Sequence, residues 1–478
     1  MKKFTLIILV LMVKTMTAMA QQLPVLRVTF DGSFSKDMDY IQGNMSLTDT
    51  DGSVINLPAK FKTRGATALN YFMKPSFNMK LRETDGTEID STLCGLRSCS
   101  SWILDAMAID RICMRNRVAF DVWNAFSHLP YDTDFDSRNG TVGKFLEVYI
   151  NGEYKGIYCL TDRINRKLLN LKKTDVHEDS TFTVRGVLYK QGTTDIADQS
   201  TPGFFNDYSV CVVRWHDAWE LTEPEDYACE EAWQPLLDAY DSLTNYNYVK
   251  KKFYLDNIAD YILLIMDMSI TDNWGNKNKY ISARNIQDDG DKARFIYTPW
   301  DLDTSLGGNY DGSYYDGTYS DWQISDIVNS AVAPFSTVLQ QTEFKNLLLE
   351  KWRKARVGSM SVDSVSQRLR DYRDLFINSG AWARQSTYFD ALKDKPCYVE
   401  DLSKEIDYII AWYKNRVAEM DAYFGITSDG IRSLETSSES ENTKNPAVYD
   451  LFGRKVADRF NTSLPSGLYI VNGKKVVK

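Results

Sequence analysis

The sequence predicts an α+β fold in which strands come first and helices follow, with a small β unit appended at the C-terminus. Three observations lead there. Short alternating runs fill the first third of the chain and end in the hairpin signal Asn151-Gly152. Apolar residues at helical spacing dominate from Asp256 to Phe424. A polar stretch over residues 426–446 then sets apart a last group of short apolar runs. Segregated strands and helices mark α+β domains, whereas strict alternation would signal a parallel sheet.

Met1-Lys-Lys, the apolar run Phe4 to Val13 and the small-x-small site Ala18-Met19-Ala20 read as a signal peptide over residues 1–20. The chain is therefore expected to be exported, to the extracellular space, the cell surface or the periplasm. The apolar run is too short to span a bilayer and Lys14 interrupts it. No other segment holds eighteen uninterrupted apolar residues, so no integral membrane segment is expected in the mature chain. Residues 21–425 form the main domain. In it Val25 to Phe30 alternates, Asp51-Gly52 makes a turn, and Ala59 to Leu81 carries two strands around a polar loop. Ile109, Ile112, Cys113, Val118 and Trp123 predict a helix over residues 108–128. Two strands from Phe145 to Leu160 follow, joined at Asn151-Gly152. Ile258, Ile262, Ile265 and Met266 share a helical face after the N-cap candidate Asp256. Val365, Leu369, Tyr372 and Phe376 repeat that spacing, and a longer stripe from Ile406 to Phe424 stops at Gly425. Beyond the linker, residues 447–478 carry a second hairpin signal at Asn472-Gly473 and are too few for a catalytic domain.

Composition excludes several functions. A net charge of −9 with no long basic run argues against a nucleic-acid partner. Seven cysteines, an odd number without CxxC or Cys/His spacing, fit buried free thiols better than a disulfide framework or a zinc site. Only three histidines occur, none in a catalytic setting, so carboxylates must do any acid–base work. Neither a P-loop nor a Gly-x-Gly-x-x-Gly motif is present. Asp132, Asp134 and Asp136 alternate as in a calcium loop, but the glycine is misplaced and no Glu closes it.

The chemistry concentrates in Phe295-Ile-Tyr-Thr-Pro-Trp-Asp-Leu-Asp-Thr-Ser-Leu-Gly-Gly308, where a hydrophobic strand delivers Asp301 and Asp303 into a glycine-rich turn. Alternation would point both carboxylates the same way. Such a pair is costly unless a cation neutralises it, the other reading being a turn whose carboxylates cap backbone amides. Upstream, Asp272, Asn276 and Asn278 follow an apolar helix. Phosphoryl transfer on kinase-like folds needs an acid near the acceptor hydroxyl, then an Asn and a strand-borne Asp that hold magnesium. Asp272, Asn278 and Asp301 stand in that order. Cations for phosphates are sought on the early strands, where alternation in Lys74-Pro-Ser-Phe-Asn-Met-Lys80 puts Lys74 and Lys80 on one polar face. Arg64 and Lys190 are further candidates.

These residues resemble the CotH (spore coat protein H) kinase family of atypical protein kinases. The ordered pieces are Thr63-Arg64-Gly65, Lys74 to Lys80, Met114-Arg-Asn116, Glu147 to Tyr158, Leu188-Tyr-Lys190, Asp272 with Asn278-Lys-Tyr280, and Pro299-Trp-Asp-Leu-Asp303. The tail, Val448 to Val456 and Leu464 to Lys474, resembles the sorting domain of the Bacteroidota type IX (Por) secretion system. The resemblance implies a kinase-like two-lobed fold, ATP with Mg2+ or another divalent cation, transfer to Ser/Thr hydroxyls of a protein substrate, and export machinery as a partner of the tail. It implies that Asp272 orients or deprotonates the acceptor hydroxyl, that Asn278 and Asp301 bind metal with Asp303 assisting, and that either Lys80 or Lys74 holds the phosphates of the cofactor, with Arg64 and Lys190 the further cofactor-binding candidates read from the residue pattern. Asp162, in Leu160-Thr-Asp-Arg-Ile164, stands where the family often has the Glu that positions a phosphate-binding Lys. The alternative readings are a non-catalytic surface or adhesion protein on the same fold, or a glycan-binding surface protein.

Overall fold

Seven strands at the N-terminal side close into a barrel: β1 (Val25–Phe30), β2 (Ile41–Thr48), β3 (Val54–Arg64), β4 (Ser76–Leu81), β5 (Ser101–Asp105), β6 (Gly143–Ile150) and β7 (Glu153–Asp162). The computed structural model describes residues 22–32, 39–65, 74–131, 137–191, 214–215, 219–227, 229–270, 272–273, 278–288, 293–309, 323–392 and 398–426, and the tail strands at 448–449, 455–457, 468–471 and 474–477. Spatial order is β1-β2-β3-β4-β5-β7-β6, antiparallel until β6 returns beside β1 in parallel, Val25 opposite Glu147. Inward residues such as Leu26, Met45, Phe61, Met79, Trp102, Leu146 and Tyr158 form one apolar core. The expected strand-rich part is thus present, and its closure into a barrel is new. Asn151 (φ 49°) and Gly152 (φ 86°) make the β6–β7 turn with two positive φ values, as a two-residue hairpin requires.

Helix α1 (Arg115–Phe126) is shorter than the stretch its periodicity predicts. The carboxylate of Asp110 accepts from the backbone N–H groups of Ile112, Met114 and Arg115, and Cys113 adopts φ 55°. That side-chain capping competes with helix over 108–114 and fixes the start of α1.

After the barrel come a short ribbon, β8 (Asp175–Val176) with β9 (Phe182–Thr183), and a five-stranded antiparallel sheet. The sheet comprises β10 (Val187–Gln191), β11 (Arg214–Trp215), β12 (Trp219–Glu223), β13 (Lys279–Ala283) and β14 (Ile296–Pro299), in the order β11-β12-β10-β13-β14. Helices fill the remainder: α2 (Glu230–Tyr240), α3 (Tyr246–Lys252), α4 (Leu255–Met268), α5 (Ile324–Asn329), α6 (Phe335–Leu339), α7 (Thr342–Ala355), α8 (Val362–Asn378), α9 (Ala381–Asp390) and α10 (Leu402–Tyr423). Helix α4 is buried from Asn257 to Met268 and packs on β14. Its N-cap is Tyr254; the expected cap, Asp256, lies in the first turn, where it complements the helix dipole and meets Lys351.

Helix α9 docks on β7 through Gln385, whose Oε1 accepts from Ile157 N at 2.8 Å and from Lys74 Nζ at 3.1 Å. A Cβ at Gly156 (φ 96°) would lie 2.8 Å from that oxygen, so glycine is what permits the approach. Among the described residues, Cys94, Cys99, Cys113 and Cys159 are buried free thiols, and Cys229 is half-buried. No helix of the described residues is long and apolar enough to cross a membrane.

The chain divides into two compact units, residues 1–420 and 421–478. The second contains a four-stranded sheet of β15 (Val448–Tyr449), β16 (Lys455–Ala457), β17 (Leu468–Val471) and β18 (Lys474–Val477), ordered β16-β15-β17-β18. Strands β17 and β18 pair antiparallel across the two residues that carry the hairpin signal.

Candidate functional site

Helix α4 ends at Ser269 in the left-handed conformation, and the chain turns into Asp272 and Asn273. Asn278 (φ 56°) donates through Nδ2 to Asp272 Oδ2 at 2.9 Å. Its amide is thereby oriented, with Oδ1 as the end able to face a cation. Asn273 joins this segment to the next acid-bearing one, its Nδ2 donating to the carbonyls of Asn278 and Trp300 at 2.9 and 2.6 Å. The β13–β14 register, Lys279 opposite Pro299, makes that closeness unavoidable. The β13–β14 hairpin brings the segment of Asp272 and Asn278 beside the one that carries Asp301.

Strand β14 stops at Pro299, so Asp301 and Asp303 lie in a turn and not on the strand that would have alternated them. Asp301 has φ 59°, a conformation Asp tolerates better than most residues. The turn is tied internally, Ser305 N donating to Leu302 O and Gly308 N to Ser305 O, and Leu306 N donates to Met268 O at the end of α4. The first turn of α1 holds its other side. Leu302 N donates to Asn116 Oδ1 at 3.1 Å, Ser305 Oγ donates to the Arg115 carbonyl at 3.4 Å, and the Arg115 side chain lies against Gly308. Asn116 Nδ2 in turn donates to Asp105 Oδ2, at the end of β5, at 2.9 Å.

Several carboxylates therefore load one region. Burial holds the Asp303 carboxyl well above the usual range, and Asp301, Asp105, Asp110 and Asp272 push it further. Asp301 is also raised by burial; Arg64 and Lys190 oppose the shift while Asp105 and Asp272 add to it. Asp301 is nevertheless an exposed residue and Asp303 a half-buried one, so solvent moderates both upward shifts. Arg64 stacks over the Trp300 ring at 5.1 Å, beside Asp301. Lys190 is lowered by burial and held up by Glu220 and Asp301. Repulsion between carboxylates that burial also disfavours is relieved by a cation.

Three expected site residues behave differently. Lys74 precedes β4, which begins at Ser76, so strand alternation does not reach it. It is buried beneath α9, where Nζ donates to the Ile157 carbonyl at 2.5 Å and to Gln385 and faces the Tyr158 ring; burial brings it down to about 8. Lys80 does lie on the outer face of β4, over Tyr40, but its charged neighbours are Arg163, Arg82, Glu225 and Glu88, none of them an acid of the turn. Among the described residues, Asp162 pairs with an arginine and with no lysine. Its carboxylate accepts from Arg97 Nε at 2.8 Å and from Val142 N at 2.9 Å, both partners of the ion pair being almost fully buried. Asn276 and the trio Asp132, Asp134 and Asp136 lie outside the described residues.

Among the described residues no three His, Cys, Asp or Glu side chains converge closely enough to hold a metal ion by themselves. The oxygen donors fit a hard divalent ion bound in part by others: Mg2+ characteristically takes one or two carboxylates and completes its octahedron with water and phosphate oxygens. Asp301, Asp303 and the Asn278 amide oxygen would be the protein's share.

A family model described as "CotH kinase protein" matches residues 61–420, about three quarters of the chain. The chain belongs to the CotH kinase family. No match was found among curated proteins. The matched region contains every site residue named above, from Arg64 to Asp303, and excludes β1, β2 and the tail sheet. For this CotH family member, sequence reasoning missed Asp105, Asn116 and Asn273. Asp105 ends Ser101-Trp-Ile-Leu-Asp105, which reads as a plain apolar strand. Asn116 lay in a quoted motif without a role, and Asn273 adjoins Asp272, where an Asn usually signals only a turn.

Proposed function

We propose that this CotH family protein is an exported atypical kinase that transfers the γ-phosphoryl group of ATP to Ser/Thr hydroxyls of a protein. One observation carries the reading: Asn278 is hydrogen-bonded to Asp272, and the charges of Asp272 and Asp301 act on Asp303 while Arg64 and Lys190 act on Asp301. The proposal includes a kinase-like division into two lobes, supported by a strand barrel followed by a helical part. Export rests on residues 1–20 and on the tail, whose sorting role would make the export machinery a partner.

In this reading the divalent ion and ATP supply the charge neutralisation and the transferable group. The chain's own residues do the rest. Asp272, oriented by the Asn278 amide, accepts the proton of the acceptor hydroxyl. Asp301 and Asp303 hold the ion against their mutual repulsion. Arg64, stacked over Trp300, and Lys190, whose charge Asp301 and Glu220 favour against burial, would take the phosphate oxygens.

Asp301→Asn keeps the side chain's shape and removes the charge. It is expected to lower Mg2+-dependent phosphate transfer by about two orders of magnitude or more with the far-UV circular dichroism unchanged. Equal transfer in wild type and variant would overturn the proposal. A second reading, a non-catalytic surface protein on the same fold, draws on the placement of the lysines, since Lys74 is committed to α9 and Lys80 to another charge group. Calorimetry separates the two: no ATP binding with Mg2+, Mn2+ or Ca2+ would favour the second.

A further inference from the structure

Asn116 occupies an unusual place for an amide in the first turn of a helix, since its two ends leave the helix and join separate parts of the fold. Its Oδ1 accepts from Leu302 N, between Asp301 and Asp303, and its Nδ2 donates to Asp105 Oδ2 at the end of the barrel strand β5. The orientation is dictated by chemistry. A backbone N–H can only donate and a carboxylate only accept, so a flipped amide would lose both bonds. Asp105 is itself immobilised, Oδ1 accepting from Met107 N at 3.0 Å and from Ser76 Oγ at 3.4 Å, while Ser76 Oγ accepts from Ala106 N at 2.8 Å. Asp105 is thus a fixed point on the barrel, and Asn116 carries its position to the backbone of the acid turn. Helix α1 is fixed independently by Asp110, which takes two backbone N–H groups at its start and pairs with Arg115 at 2.6 Å.

We infer that Asn116 is a positioning residue for the divalent-ion site, setting the Asp301–Asp303 turn at a fixed spacing from the barrel carboxylate Asp105. The inference rests on the reading of that turn as an ion site. An amide is the only side chain of this length that meets both neighbours with the right polarity. Asp at 116 would keep an acceptor for Leu302 N but set a second carboxylate against Asp105. Ala would release both contacts, leaving Asp301 and Asp303 to separate under their own repulsion.

The test is titration of the full chain with Mn2+ alone, without nucleotide, by calorimetry and by the electron paramagnetic resonance signal of free Mn2+. Residues that orient metal ligands from behind typically change affinity ten- to a hundredfold. Asn116→Ala and Asn116→Asp are each expected to weaken Mn2+ binding by about tenfold or more, with the far-UV spectrum retained and Asp301→Asn losing binding altogether. Asn116→Asp guards against a folding artefact, because it preserves the contact to Leu302. Wild-type affinity in both variants overturns the inference, as does loss of binding that appears only with loss of the fold. The kinase reading fails separately: wild type that binds Mn2+ but transfers no phosphate overturns that reading and leaves Asn116's role standing. Wild type that binds no Mn2+ overturns the ion site and this inference with it.

Discussion

Replacing Asp162 by Ala distinguishes a structural acid from a cofactor-binding one. In the structure its carboxylate is nearly inaccessible, accepts from Arg97 Nε at 2.8 Å and from Val142 N at 2.9 Å, and is raised above its ordinary value by burial despite Arg97. Breaking a buried ion pair from one side costs about 3–5 kcal/mol, because the remaining charge is stranded. Arg97 would keep the Arg163 carbonyl at 3.2 Å and Asn165 Oδ1 at 3.4 Å, which places the cost at the lower end. The orphaned Val142 N–H adds about 1 kcal/mol. A total of about 3–4 kcal/mol is expected, read by urea unfolding of the full chain, with ATP affinity unchanged where the fold persists. Burial outweighing Arg97 also means the pair itself is no net asset, so Arg97→Met with Asp162→Leu should recover most of the loss. A loss below about 1 kcal/mol together with weakened ATP binding would refute this and return Asp162 to the cofactor site.

Lys74 should make stability depend on pH. Its folded value, about 8, lies below the unfolded 10.5, so the unfolded chain binds more protons between those limits and stability rises with pH across that window. The full difference is on the order of 3 kcal/mol. Lys74→Met should flatten the rise, and parallel unfolding curves for wild type and variant from pH 7.5 to 10 would disprove it. Asp303 acts in the opposite sense. With its folded value raised, ionisation destabilises the ion-free protein as pH climbs from the ordinary carboxylate range through the raised one. Asp303→Asn is therefore expected to raise the ion-free Tm at pH 8 by about 1–3 °C and to change little at pH 4. A lower Tm at pH 8 would count against the carboxylate repulsion.

The parts of the fold legible in the sequence are those fixed by neighbours in the chain. Asn151-Gly152 announced its turn because both residues accept positive φ, and the stripe from Ile406 to Met420 announced α10 because its period is local. Barrel closure was not legible: β1 and β6 pair across more than a hundred residues, and no short-range pattern distinguishes a parallel neighbour from an open edge. At the site, Asp272, Asn278, Asp301 and Asp303 drew notice through their residue types and their order along the chain, while the β13–β14 pairing that draws their segments together carried no such signal. The partners of Lys74 and Asp162 were not legible, because they are side chains far away in sequence, Gln385 and Arg97. Asp105 and Asn116 carried no local signal, since each gains its meaning only when α1, β5 and the acid turn meet.

The parallel closure of β1 on β6 bears on how the domain can be cut. The region matched by the family begins at residue 61, inside β3, whereas the barrel needs β1 and β2 to be complete. A fragment trimmed to that boundary would lose two strands and seven of the eleven residues of β3, freeing β6 along one flank and what remains of β3 along the other. Unpaired strand flanks recruit other chains. Such a fragment is the one expected to precipitate, and a soluble domain for crystallography should begin ahead of Val25.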